Sequence, residues 1–211
     1  YESGKIKAQY SYQSDNLKGE FFKYDENNSE VIYSVNYINN LKHGLEEHFY
    51  SSCEPKKQVK FLDGKKNGEE IEYYETGEIK STQLYENGQP VGPKLIRYKS
   101  GNIKEKIENY GEPYEKITTG FYDSSEKETK YIKSYIVISN IFKESTKEYY
   151  KNGNLKSQII PFATERKNTS GENNIRYGEK TIEYYDNPNK IKKYERIDKS
   201  KYGIGYGLSL T

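Results

Sequence analysis

Asn67 to Gly92 reads NGEEIEYYETGEIKSTQLYENGQPVG. Two runs of alternating Tyr, Ile and polar residues flank Thr76-Gly77, which has the form of a β-hairpin with a glycine at its turn. The stretch is either one ordinary hairpin or one copy of a repeated part, and the rest of the chain decides between them. Gly44, Gly68 and Gly92 are 24 residues apart, with Gly19 one residue out of step. Tyr50, Tyr74 and Tyr98 keep the same interval, and so do Tyr37, Phe61 and Tyr85. Gly77 matches Gly101, and Ile79-Lys80 matches Ile103-Lys104, while Cys53 stands in the turn-glycine column one copy earlier. Several columns in one step define a repeat architecture.

The unit is G-x5-Y-x2-G-x-I-K-x4-(Y/F), and its glycines are expected to set turns. Gly4, Ile6-Lys7 and Tyr12 form a partial first copy. After Tyr110 the period blurs, although Tyr135 to Phe142 (YIVISNIF) reads as the strongest strand signal in the chain. The unit returns as EYYKNGNLK from Glu148 to Lys156, and again from Gly178 through Tyr184-Tyr185 to Ile191-Lys192. Pro161 to Asn174, rich in Thr, Ser, Asn and Gly, reads as an inserted loop. Ile204, Tyr206, Leu208 and Leu210 alternate with small residues, as in a final capping strand.

Single hairpins are marginal in water, and stacking lets each copy cover its neighbour. The expected fold is all-β, an elongated, twisted antiparallel sheet of stacked β-hairpin repeats of about 24 residues. Residues 1–110 form the regular repeats, 111–147 degenerate ones, and 148–211 the returning copies with the loop at 161–174 and the capping strand, all in one continuous domain. With 32% apolar and 31% charged residues and a mean hydropathy of -1.12, the chain lacks the usual Leu and Val for a dry core. Its 24 tyrosines and 7 phenylalanines supply the burial instead.

The unit resembles the MORN-repeat variant of many bacterial proteins. GEEIEYYETGEIKSTQLYENGQPVG is close to that pattern, and EYYKNGNLKS matches half a unit. The chain departs from it at Cys53 and Pro188, where other residues replace the turn glycine and a different turn geometry is expected. The resemblance implies an all-β module that binds something. Some members of that family act as antitoxins or immunity proteins.

Little in the residues points to catalysis. Net charge is +2 with the two signs interleaved, so the basic footprint of a nucleic-acid binder is missing. Cys53 is the only cysteine, which excludes a disulfide framework. It reads as an exposed turn residue and not as a nucleophile. His43 reads as a turn residue before Gly44, and His48 as a strand-surface residue, with no metal site between them. Glu69, Glu70, Glu72, Glu75 and Glu78 alternate with other residues as a solvated sheet face. No catalytic residue, metal or cofactor is expected.

The remaining candidates are the tyrosines. Tyr50, Tyr74 and Tyr98 are expected as an aromatic strip with lysines beside it, on the face opposite Ile71 and Tyr73. The expected function is non-enzymatic binding of another protein through the extended sheet, toxin neutralisation being the form the resemblance implies. The alternative is a structural or adhesive repeat protein of the cell envelope. The chain has no Met, so a leading segment is expected to have been removed. A signal peptide there would place the protein in the envelope, and a plain start would make an antitoxin cytoplasmic. Membrane association is disfavoured by the small net charge.

Overall fold

The computed structural model describes residues 1–13, 15–110, 115–138, 141–167, 173–189 and 192–198. Among them all regular structure is β-strand, in two compact units, Tyr1–Glu108 and Asn109–Thr211. The first unit holds β1 (Ala8–Gln9), β2 (Tyr12–Gln13), β3 (Asn16–Leu17), β4 (Gly19–Tyr24), β5 (Val31–Ile38), β6 (Leu41–Phe49), β7 (Pro55–Leu62), β8 (Lys65–Tyr73), β9 (Ile79–Glu86) and β10 (Gln89–Arg97). The unit boundary falls within the next strand, β11 (Ile103–Tyr110). The second unit continues with β12 (Glu115–Phe121), β13 (Thr129–Ile138), β14 (Ile141–Tyr149), β15 (Leu155–Lys167), β16 (Asn173–Tyr184) and β17 (Lys192–Asp198). In each unit every main-sheet strand pairs antiparallel with the one before it, and β2 and β3 form a small separate hairpin.

Two kinds of turn alternate along the first unit. The tight ones are Asn39-Asn40, Asp63-Gly64 and Asn87-Gly88, whose residues all take positive φ, the geometry that matches the twist of a two-residue hairpin. The wide ones at Tyr50, Tyr74 and Tyr98 run from the tyrosine to the residue four later, whose carbonyl accepts from the tyrosine N–H, as from Tyr74 to Glu78 at 2.9 Å, and the wide turn at Asp25 runs one residue longer, to Glu30. Gly77, Gly101 and Gly153 close the wide turns in the left-handed region. Cys53 does the same at φ 64°, and its N–H reaches the Tyr50 carbonyl at 3.0 Å. The altered geometry expected at Cys53 is therefore absent.

The other glycine column has a different role from the one expected. Gly44, Gly68 and Gly92 lie inside β6, β8 and β10, not in turns. Between the pairs Val59–Glu70 and Phe61–Lys66, the residues Asn67, Gly68 and Glu69 stand against Lys60 alone. Gly68 sits at φ 112° in the middle of this bulge, and a Cβ there would press on the Lys60 stem at 3.2 Å. His43 likewise lies within β6 beside its bulge glycine, not in a turn.

Two further expectations change. The run Tyr135 to Phe142 is not one strand: Ile138 pairs with Ile141, so it is the closing end of the hairpin β13–β14. Pro161 to Lys167 and Asn173-Asn174 are not loop but the extended ends of β15 and β16, paired out to Lys167–Asn173. Thr, Asn and Arg paired on a two-strand ribbon look like a loop by composition alone. Residues 168–172 of the expected loop and the capping strand expected at 203–210 lie outside the described residues.

Candidate functional site

Among the described residues, the buried side chains of the first unit are Ser81 and a row that is partly charged. Val35, Glu46, Val59, Glu70 and Gln83 are direct cross-strand neighbours on successive strands. Val59 is 1% exposed, Glu46 6% and Glu70 7%. The expectation of a solvated face for the carboxylates therefore fails at Glu70. The sequence carries the reason in a motif repeated at the 24-residue step, Lys42-x-Gly44-x-Glu46 and Lys66-x-Gly68-x-Glu70. On a regular strand, residues four apart are about 13 Å apart along the axis. The bulge at the glycine draws the ends together, so Lys42 Nζ pairs with Glu46 Oε2 and Lys66 Nζ with Glu70 Oε2.

A buried charge persists only when paired and hydrogen-bonded, and both glutamates meet that condition. Tyr33 Oη donates to Glu46 Oε2 at 2.9 Å, and His48 Nε2 lies 3.2 Å from Oε1. Lys57 Nζ lies 3.1 Å from Glu70 Oε1. Burial pushes both carboxyls up, but hydrogen bonds from Lys42, His48 and Tyr33 on Glu46, and from Lys66 and Lys57 on Glu70, outweigh it and hold both below the usual range. Burial and the Glu46 carboxylate hold the Tyr33 phenol far above its usual value. Where the motif lapses, at Pro90-Val91-Gly92-Pro93-Lys94, the Gln83 amide fills the gap by donating to the Val91 and Gly92 carbonyls at 3.2 and 3.4 Å.

The tyrosines join one copy to the next at the wide-turn end. Tyr50, Tyr74 and Tyr98 follow the last residues of β6, β8 and β10 and are half-buried. Tyr50 Oη donates to the Tyr73 carbonyl at 2.8 Å, and Tyr74 Oη to the Arg97 carbonyl at 2.7 Å. Each hydroxyl reaches the backbone just before the next tyrosine of the column. Tyr1 donates to Tyr24 in the same way, and in the second unit Tyr122 donates to Tyr149 and Tyr150 to Tyr184. Tyr122 was legible as Tyr98 plus one period, but its longer turn, which ends at Glu128, hides the Tyr-x2-Gly pattern. At the tight-turn end the backbone makes the equivalent link, from the Gly64 N–H to the Lys42 carbonyl and from the Gly88 N–H to the Lys66 carbonyl, both at 2.8 Å.

A lysine row accompanies the tyrosines. Each strand that returns from a wide turn carries one bulged residue near its start. These are Ile32, Lys56, Lys80, Lys104, Lys130, Lys156 and Lys193, lysine in all but the first. Every one of these lysines is exposed. Lys56 lies over the Tyr50 ring at 5.5 Å, Lys104 over Tyr98 at 5.9 Å and Lys130 over Tyr122 at 5.7 Å. Tyr50, Lys56, Lys80, His48 and Glu72 together line a shallow, open pocket.

The opposite face of the first unit is apolar at the tight-turn end. Ile38 pairs with Leu41, Leu45 with Lys60, Leu62 with Lys65, and Leu84 with Glu69. Alternation along the strands puts all five apolar side chains on the face away from Val59. They are 40–48% exposed.

Of the other candidates, Cys53 is exposed. Desolvation in its turn and the carboxylates of Glu30 and Glu54 push the thiol up, away from the reactive thiolate. His43 Nδ1 faces Asp63 Oδ1 at 3.5 Å. Among the described residues no three His, Cys, Asp or Glu side chains converge as a metal site. No family model matches the chain, and no curated protein matches it.

Proposed function

We propose that the chain is a non-enzymatic binding module that holds another protein against its sheet. The observation that carries this reading is the row Ile38, Leu41, Leu45, Leu62 and Leu84. A patch of exposed large apolar residues rimmed by Lys60, Lys65 and Glu69 is the composition of a protein-binding surface. The two buried carboxylates are already committed to neighbouring cations, Glu46 to Lys42 and His48, Glu70 to Lys57 and Lys66. The resemblance to MORN-repeat variants adds a partner class: a toxin that the sheet would neutralise by covering it. The experiment is affinity capture from the native host with the wild-type chain and with Leu41→Glu/Leu62→Glu. The reading expects one protein enriched by the wild type and lost by the variant at unchanged circular dichroism. Equal capture by both chains removes the apolar face from the account.

A further inference from the structure

The wide-turn end carries a second feature that the backbone does not demand. A bulge sets no requirement for lysine, since Ile32 occupies the same place in β5. Asp25 stands in the tyrosine column of that one copy, with its N–H on the Glu30 carbonyl. Lysine and tyrosine are thus present together and lost together. The rings of Tyr50, Tyr74 and Tyr122 are fixed by their hydroxyl bonds, and an exposed lysine ammonium lies over each, Lys56 over Tyr50, Lys130 over Tyr122 and, at Tyr74, the turn residue Lys99, while Lys104 lies over Tyr98. Along the first unit Lys56, Lys80 and Lys104 recur on every second strand, a step of about 10 Å.

We propose that these Tyr–Lys pairs are a row of carboxylate-docking points, and that the partner held there is a protein presenting acidic side chains at a matching step. This deepens the reading of the chain as a protein-binding module and rests on it. Each ammonium supplies the charge, and each immobilised ring supplies a flat ledge whose ordering cost is already met in the fold. Glu54 and Glu78 sit in the same turns as Cys53 and Gly77. They cancel the long-range positive field that a nucleic acid or an anionic membrane requires, while leaving each ammonium accessible at short range.

The test is titration of the full chain with poly-L-glutamate, with a single-stranded oligonucleotide and phosphatidylglycerol vesicles in parallel. The variants are Lys56→Gln/Lys80→Gln/Lys104→Gln and, as a control of equal charge at exposed lysines outside both surfaces, Lys18→Gln/Lys23→Gln/Lys147→Gln. Glutamine keeps much of each stem, so the thermal midpoint is expected to hold. Poly-L-glutamate should bind the wild type in a salt-dependent way, about tenfold weaker to the first variant and within about twofold to the control. Equal weakening in both variants, absence of binding, or tighter binding of the oligonucleotide or vesicles each overturns the proposal. If the Leu41/Leu62 variant loses a captured partner while the first lysine variant keeps it, the docking row fails and the binding module stands.

Discussion

The Tyr50 hydroxyl donates to the Tyr73 carbonyl at 2.8 Å, across the gap between two wide turns. That bond, and its repeat from Tyr74 to Arg97, makes the tyrosine column a seam between copies. A strip of this kind does two things at once, since the ring still faces Lys56. Tyr74→Phe is expected to cost about 1 kcal/mol, the net worth of one hydrogen bond. Tyr74→Ala should cost about 3 kcal/mol because the half-buried ring goes too. Thermal unfolding of the two variants separates hydroxyl from ring.

Cys53 takes a left-handed backbone that glycine adopts without steric penalty. Cys53→Gly is expected to raise the melting temperature by about 1–3 °C, while Gly77→Val should lower it. A scan of both variants checks the sign. A fall for Cys53→Gly would mean that the thiol makes a contact the turn depends on.

Gly120 has a different constraint. It lies directly opposite Tyr131, and a Cβ there would meet the ring at 2.3 Å. Gly120→Ala should cost about 1–3 kcal/mol through displacement of that ring, and Gly120→Ala/Tyr131→Ala should be non-additive in a double-mutant cycle.

Acid should loosen the first unit. Glu46 and Glu70 are held below their ordinary value of 4.5 in the folded chain. The stability they contribute is fully present above that unfolded value and is lost as pH falls through the folded one. Unfolding followed from pH 7 downward should show a loss beginning near pH 4.5, and Glu46→Gln/Glu70→Gln should flatten it. Lys66 is the opposite case. Burial pushes it down, but its Glu70 partner raises it above 10.5 overall, so its share of stability holds until strongly alkaline pH.

The period, the all-β class and the wide turns were legible because each rests on local backbone chemistry. Gly77 and Gly101 mark turns that fix φ, and Tyr74 and Tyr98 keep register with them. Gly68 was misread because a positive φ is equally the signature of a bulge within a strand. Glu70 was misread for the same reason: without the bulge, nothing brings Lys66 close enough to pay for its burial. The separation of Glu70 from Glu69 and Glu72 depends on strand pairing, which the alternation of charge along one strand does not reveal. The lysine row was visible as Ile79-Lys80 and Ile103-Lys104, but its meaning as the bulged residue needed the pairing. At the last copy the pairing moves the bulge to Lys193, one residue beyond the sequence column.

The claim that this sheet holds a protein is tested most directly by a photo-crosslinking residue at Leu62 or, on the opposite face, at Lys23, each illuminated in the native host. The account predicts one discrete protein adduct at Leu62 and none at Lys23. No adduct at Leu62, or the same adducts at both positions, would contradict it.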